Sequence, residues 1–247
     1  MMTESTCVSS TKLIGTDWPD EVFDVRSDRD VARLNTIFKE MSPQQRVRAF
    51  YCNRSLRDSK TLLTSSFGTT AVLLLHLFYR NNIEQPVHFL DTTYHFDETL
   101  AYKTTLTKLF DLKIIELHPE EWKNKFTREN KLWETDPDLC CSVNKVEPLL
   151  TVKKQADVWV SGLMGWQNEH RQNMDVFQLK DGVLKFYPII DLTEAEAQAY
   201  LQRYDLPEHP LKPLGYESIG CKHCTFKGKG RQGRWAGTAK TECGLHQ

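Results

Sequence analysis

Four cysteines in two pairs are the residues of this sequence best suited to chemistry: Cys140-Cys141, directly adjacent, and Cys221 with Cys224 two residues on. A Cys-x-x-Cys pair presents two thiolates to one ion across a tight turn, and Gly220 ahead of it supplies backbone freedom. Such a set fits either a tetrahedral zinc ion or an iron–sulfur cluster. Adjacency favours the cluster, because neighbouring side chains diverge and a [4Fe–4S] cube offers them separate iron corners. A fifth cysteine sits in Lys240-Thr241-Glu242-Cys243-Gly244-Leu245-His246. Positive charge from Lys240, His246 and upstream arginines favours the thiolate there, the form that acts as a nucleophile. The third constellation is Ser65-Ser66-Phe67-Gly68-Thr69-Thr70. Small hydroxylated residues and glycine between a strand and a helix expose backbone N–H groups to an anion. The Gly-Lys-Ser/Thr ending of a Walker A loop is absent. Cys7 and Cys52 have no such company and read as ordinary thiols.

The elements that must position these groups follow from pattern and composition. The chain has 247 residues, enough for one α/β domain or two small ones. Its formal charge is −1, from 32 Lys and Arg against 33 Asp and Glu, so no global basic footprint points to nucleic acid. Mean hydropathy is −0.51, and no apolar run approaches the length of a membrane span. No basic stretch followed by an apolar one opens the sequence, so a cytoplasmic location with reduced thiols is expected. Residues 30–41 and 50–57 read as helical. From residue 60 onward strands (61–65, 87–91, 113–117, 157–162, 183–187) alternate with helices (69–79, 96–110, 193–204), the last opened by a Thr193-x-x-Glu196 capping box. That alternation predicts an α/β fold, a mainly parallel sheet with helices on both faces. The expected division is a helical segment at 1–58, a nucleotide-binding core at 59–211 and a Cys-x-x-Cys segment with tail at 212–247. The last of these carries seven Lys and Arg against two Glu, a local charge of +5. Rich in glycine and poor in apolar residues, it is expected to be mobile.

Together, Ser-Phe-Gly after the first core strand, Leu90-Asp91-Thr92, Lys145-Val146-Glu147-Pro148 after the cysteine pair, Ser218-Ile219-Gly220-Cys221-x-x-Cys224-Thr225, and Gly233-Arg234-Trp235 through Glu242-Cys243-Gly244-Leu245-His246 resemble the sulfonucleotide reductases. The resemblance runs from about residue 60 to the end. It implies an adenine-nucleotide hydrolase type of sheet, with Ser65, Ser66, Phe67, Gly68 and Thr69 holding the nucleotide, joined by Asp91, Thr92, Gly162, Gln167 and Arg171. It further implies that Cys243 attacks the sulfate sulfur of adenylyl sulfate (APS) or its 3′-phosphorylated form (PAPS). Lys145, Arg231, Arg234 and His246 would assist, and reduced thioredoxin would release sulfite from the S-sulfo adduct. Cys140, Cys141, Cys221 and Cys224 would ligate a [4Fe–4S] cluster that shapes the site without donating electrons. A homo-oligomer is common in such enzymes.

Two departures divide the expectations. The resembled enzymes commonly carry two arginines where this chain has Met164 and Gly165, which weakens the expected phosphate contacts while leaving Gln167 and Arg171. Asn144 before Lys145, in place of arginine, and the loop at 65–70 look like the PAPS branch, whereas the four cysteines look like the APS branch. The cysteine set tips the reading toward APS. A diverged iron–sulfur redox regulator is the alternative from another class. An RNA-thiolation enzyme on a similar sheet would need a Ser-Gly-Gly-x-Asp-Ser loop, which residues 65–70 do not match.

Overall fold

A computed structural model describes residues 18, 20–81, 84–237, 240 and 242–245. Among these, α1 (Asp28–Lys39), α2 (Pro43–Cys52) and α3 (Arg54–Arg57) precede β1 (Thr61–Thr64). Then follow α4 (Ala71–Arg80), β2 (Val87–Leu90), α5 (Asp97–Leu109), β3 (Ile114–Leu117), α6 (Glu121–Glu129), α7 (Leu132–Thr135) and α8 (Pro137–Cys141). A π-helical turn (Ser142–Val146) leads into α9 (Glu147–Lys153), β4 (Val158–Val160), α10 (Glu169–Gln172), β5 (Phe177–Lys180), β6 (Val183–Phe186) and α11 (Glu194–Arg203). The strand order is β3-β2-β1-β4-β6-β5. The pairs β1–β4, β2–β3 and β4–β6 are parallel and β5–β6 antiparallel, so the expected mainly parallel sheet is present. No helix among the described residues is long and apolar enough to cross a membrane.

The chain divides into two compact units. The first comprises Met1–Thr64, Val72–Pro86 and Gln155–Leu206. Its core is aromatic: Phe177 stacks on Phe186 at 4.5 Å, Phe50 stacks on Phe186 at 4.9 Å, and Phe38 meets Phe177 edge-on at 4.9 Å. The early helices are therefore part of this core. Asn35 of α1 closes both backbone groups of Phe177, donating to its carbonyl at 2.9 Å and accepting from its N–H at 2.8 Å, which satisfies part of an edge strand. Arg46 is buried yet fully used. Its guanidinium donates to both Asp191 oxygens (2.5 and 2.6 Å) and to the carbonyls of Phe38, Lys39 and Pro188. The capping box at Thr193 and Glu196 forms as expected.

Two expectations are corrected here. Strand β5 is not among the expected strands, although Phe177-Gln178-Leu179-Lys180 alternates and Asp181-Gly182 follows it. Asp181 (φ 54°) and Gly182 (φ 72°) both sit in the left-handed region, the signature of a tight two-residue hairpin. Cys52, expected as an ordinary thiol, is disulfide-bonded. Sequence spacing carries no trace of that bond, and Cys7 lies outside the described residues.

The second unit comprises Ser65–Ala71, Val87–Lys154 and Pro207–Gln247. It holds the parallel pair β2–β3 and a buried histidine. His209 Nδ1 accepts from the Leu211 N–H at 3.2 Å, and its Nε2 lies 3.1 Å from the Thr99 hydroxyl. Both ring nitrogens are thus satisfied by the neutral tautomer. Burial pulls its pKa from 6.5 down to about 4, against a smaller opposing effect of Glu98. The unfolded chain then takes up this proton first as pH falls. The stability present above pH 6.5 is lost between 6.5 and about 4, by roughly 3 kcal/mol for this group at full protonation. His209→Gln should flatten the fall of Tm between pH 7 and 5. An unchanged slope would show that His209 does not set it.

Candidate active site

The cysteine site belongs wholly to the second unit. Asp136 caps α8 by accepting from the Leu139 N–H at 2.9 Å, and Pro137 opens its first turn. The helix delivers Cys140 and Cys141 at its end, where the chain widens into the π-helical turn that carries Asn144 and Lys145. A π turn holds an extra residue and re-aims the side chains after it, a device common at functional sites. Opposite, the Cys224 N–H closes a tight turn on the Cys221 carbonyl at 3.0 Å, and Lys222 N–H donates to the Tyr94 carbonyl at 2.7 Å. All four cysteines are buried and unbridged. They line one cavity with Tyr94, Trp133, Asn144, Lys145 and His223.

Gly220 plays a steric role in place of the expected conformational one. Its φ is not in the left-handed region, but a Cβ there would stand 2.3 Å from Arg234 Nη2. The missing side chain makes room for the guanidinium, which donates to the Ile219 carbonyl at 3.2 Å.

Hydrogen bonds reach the sulfurs. The Thr92 hydroxyl is 3.4 Å from Cys221 Sγ, and Asn144 Nδ2 donates to the Cys140 carbonyl at 2.9 Å and approaches its Sγ at 3.7 Å. Asn144 is held in turn by Asn124, whose amide donates to its Oδ1 at 2.7 Å. Burial, and then the neighbouring cysteines, push the Cys140 thiol up to about 12, and the same causes push Cys224 up to about 11. Burial also raises Cys141. Burial opposes the thiolate of Cys221 as well, but Lys145, Thr92 and Arg234 outweigh it and the net shift is downward. For Lys145, burial disfavours the ammonium, while the negative charges of Cys221, Cys141 and Cys243 hold the proton on more strongly. Four thiolates cannot coexist here unless something positive sits among them. Among the described residues, no group of three or more His, Cys, Asp or Glu could hold a single metal ion.

The tail from 225 to 235 is built into the unit in place of the mobility expected of it. Phe226 N–H donates to the Gly233 carbonyl at 2.8 Å, Trp235 N–H to the Cys224 carbonyl at 3.0 Å, and Trp235 is 3% exposed. Three cations surround that indole: Arg234 at 4.4 Å, Arg231 at 5.8 Å and Lys240 at 5.9 Å. Arg231 pairs with Glu242 at 3.0 Å, and Lys240 pairs with Asp138 beside the first cysteine pair. Cys243 is half-buried and free, close enough to Lys145, Arg234 and Cys141 to exchange charge effects with each. Its surroundings are therefore cationic. His246 lies outside the described residues.

The loop at 65–70 is joined to the same segment. Thr69 hydroxyl donates to the Glu217 carbonyl at 2.8 Å, and Phe67, at φ 49°, is fully buried edge-on to Phe89. Gly68 is buried with them, whereas Ser66 is exposed and Ser65, whose hydroxyl accepts from the Phe67 N–H at 3.2 Å, is half-buried. Asp91 accepts from the Thr93 N–H at 2.8 Å, and Thr92 is spent on Cys221. The remaining expected ligands belong to the first unit. A Cβ at Gly162 would stand 3.5 Å from Leu74 and 3.6 Å from Ile189, Met164 is fully buried, and Arg171, itself buried, donates to Gln167. Sequence reasoning missed Tyr94, Trp133 and His223 around the cavity. His223 could have been found from its place inside the Cys-x-x-Cys turn.

Comparison with known proteins places these features in one family. A phosphoadenosine phosphosulfate reductase domain matches residues 60–227. A protein named adenosine 5′-phosphosulfate reductase from Bacillus cytotoxicus is 40% identical over 200 residues, 76% of this chain and 85% of that protein. One of the same name from Chelativorans is 38% identical over 200 residues, 78% of this chain and 82% of that protein. In fold, the chain is similar to a phosphoadenylyl-sulfate reductase from Candida auris solved with phosphate. The TM-score is 0.66 at 24% identity, covering 81% of this chain and 98% of that one. The chain belongs to the phosphoadenosine phosphosulfate reductase family.

Proposed function

We propose that this chain reduces adenylyl sulfate to sulfite and AMP with electrons from reduced thioredoxin. The observation that carries the reading is Cys243, free and half-buried among Lys145, Arg231 and Arg234, in a chain whose curated relatives bear the name of that activity. The Cys243 thiolate attacks the sulfate sulfur, a sulfur–sulfur bond forms, and the sulfur–oxygen bond to AMP breaks with its electron pair leaving on the nucleotide. One thioredoxin thiolate then attacks Cys243 Sγ and expels sulfite, and the second closes the thioredoxin disulfide, returning Cys243 as a thiolate. An anion must approach an anion in the first step, so Lys145, Arg231 and Arg234 screen the encounter and stabilise charge gathering on the leaving phosphate. Ser65 and Ser66, with backbone N–H groups of their loop, bind the nucleotide.

The four buried cysteines line one cavity, and the adjacent pair among them suits the separate iron corners of a [4Fe–4S] cluster better than a single ion. Cys140, Cys141, Cys221 and Cys224 would hold it, with Lys145 and Arg234 offsetting the negative charge of its thiolates. When bound, such a group supplies a fixed charge that orders this end of the unit. Sulfite release from APS and PAPS, side by side with reduced thioredoxin and anaerobically purified protein, tests the reading. Preference for APS is expected. Preference for PAPS would make Asn144 and the 65–70 loop the informative features, and turnover of neither would favour the diverged redox regulator.

A further inference from the structure

The cavity has one wall that differs from the others. Its four cysteines, with Tyr94 and Asn144, are buried, whereas the two rings Trp133 and His223 are half-buried, as is Lys145 among the lining residues. The two rings come from separate parts of the chain, α7 and the middle of the Cys-x-x-Cys turn, and stack at 4.0 Å with 11° between planes. Tyr94 backs them edge-on, 5.4 Å from Trp133 and 5.6 Å from His223, and its hydroxyl is anchored on Thr127 at 2.8 Å. The Trp133 indole N–H donates outward to Glu134 at 3.1 Å. The stack lies beside buried sulfurs, with Trp133 packed against the cluster of Tyr94, Leu132, Cys140 and Cys221.

We infer that Trp133 and His223 form an aromatic lid over the cysteine cavity and set how fast reagents from solvent reach its sulfurs. The inference rests on the cofactor reading above only for what the lid protects; the barrier itself follows from the rings. Swinging or deleting either ring opens the wall while leaving the four sulfurs and their turns in place.

Timed alkylation of the full-length, anaerobically purified chain tests this, with iron measured first. A cysteine sulfur displaces iodide from iodoacetamide, forming a carbon–sulfur bond and giving its proton to the buffer. Cys243, outside the cavity lining, provides the internal reference, and peptide mass spectrometry resolves each site. Trp133→Ala and His223→Ala should raise the rate at Cys140 and Cys224 relative to Cys243 by about tenfold, the opening expected on losing one aromatic stack. Trp133→Phe, which keeps a ring face, should stay near the parent ratio. An unchanged ratio in both alanine variants, or equal acceleration at Cys243 signalling general loosening, would overturn the lid. Absence of iron in the parent would instead count against the cofactor reading, and the ratio would still report on the lid.

Discussion

Replacing Cys243 by serine is expected to lower sulfite release by about a thousandfold or more, because it removes the attacking group and leaves only binding and electrostatics. The hydroxyl is nearly isosteric but is a far weaker nucleophile near neutral pH. Cys243 is not among the four cavity cysteines, so the variant should keep its iron and visible absorbance and bind nucleotide as the parent does. Quench-flow with ³⁵S-labelled APS would show the adduct directly: labelled protein in the parent, none in Cys243→Ser. Normal turnover by the variant would sink the mechanism. Label retained elsewhere would move the nucleophile to another cysteine.

The second large effect concerns the cavity. Cys140→Ser and Cys224→Ser should each reduce iron content to background and lower Tm by about 10 °C, since a group bound only by the folded state contributes its binding energy to folding. The loss should be felt at the tail, where Trp235 N–H is hydrogen-bonded to the Cys224 carbonyl, and limited proteolysis between 225 and 237 would report it. Cys52→Ser provides a control for the iron readout alone, because Cys52 belongs to the first unit and loss of its disulfide lowers Tm by itself. Full iron retention in the two cavity variants would contradict their assignment as ligands.

How much of this was legible in the sequence differs element by element. Strands with concentrated β-branched and apolar residues, such as 61–64 and 87–90, were readable because parallel strands are buried on both faces. Strand β5 was not read, yet its alternation and the Asp181-Gly182 turn were both on display. The π turn at 142–146 leaves no such mark, since it is a matter of hydrogen-bond register and not of residue type. The pairing of cysteines 140–141 with 221–224 was legible from chemistry. Their partners were less so: nothing in the spelling of Trp133 connects it to His223, ninety residues on. Gly220 shows a different failure, in which a residue was rightly noticed and wrongly explained. Its use is to leave space for Arg234, which only the folded arrangement reveals. The tail was misread for a related reason. Glycine and lysine content argues for solvation, but a single tryptophan seated among cations and backbone carbonyls is enough to order it.

The π turn has a consequence for how this stretch can change over generations. It fits one more residue between Cys141 and Lys145 than an α-helix would place in the same span. Deleting a single codon there would let the segment relax to regular α-helix over the same span, so that α9 beyond it keeps its orientation. What would change is the turn itself: one side chain of the run after Cys141 would be lost and those left in it would be re-aimed, Lys145 among them. The length of this short run therefore governs the aim of a few side chains and not the path of the helix after it, a property that an inventory of residue types along the chain would not disclose.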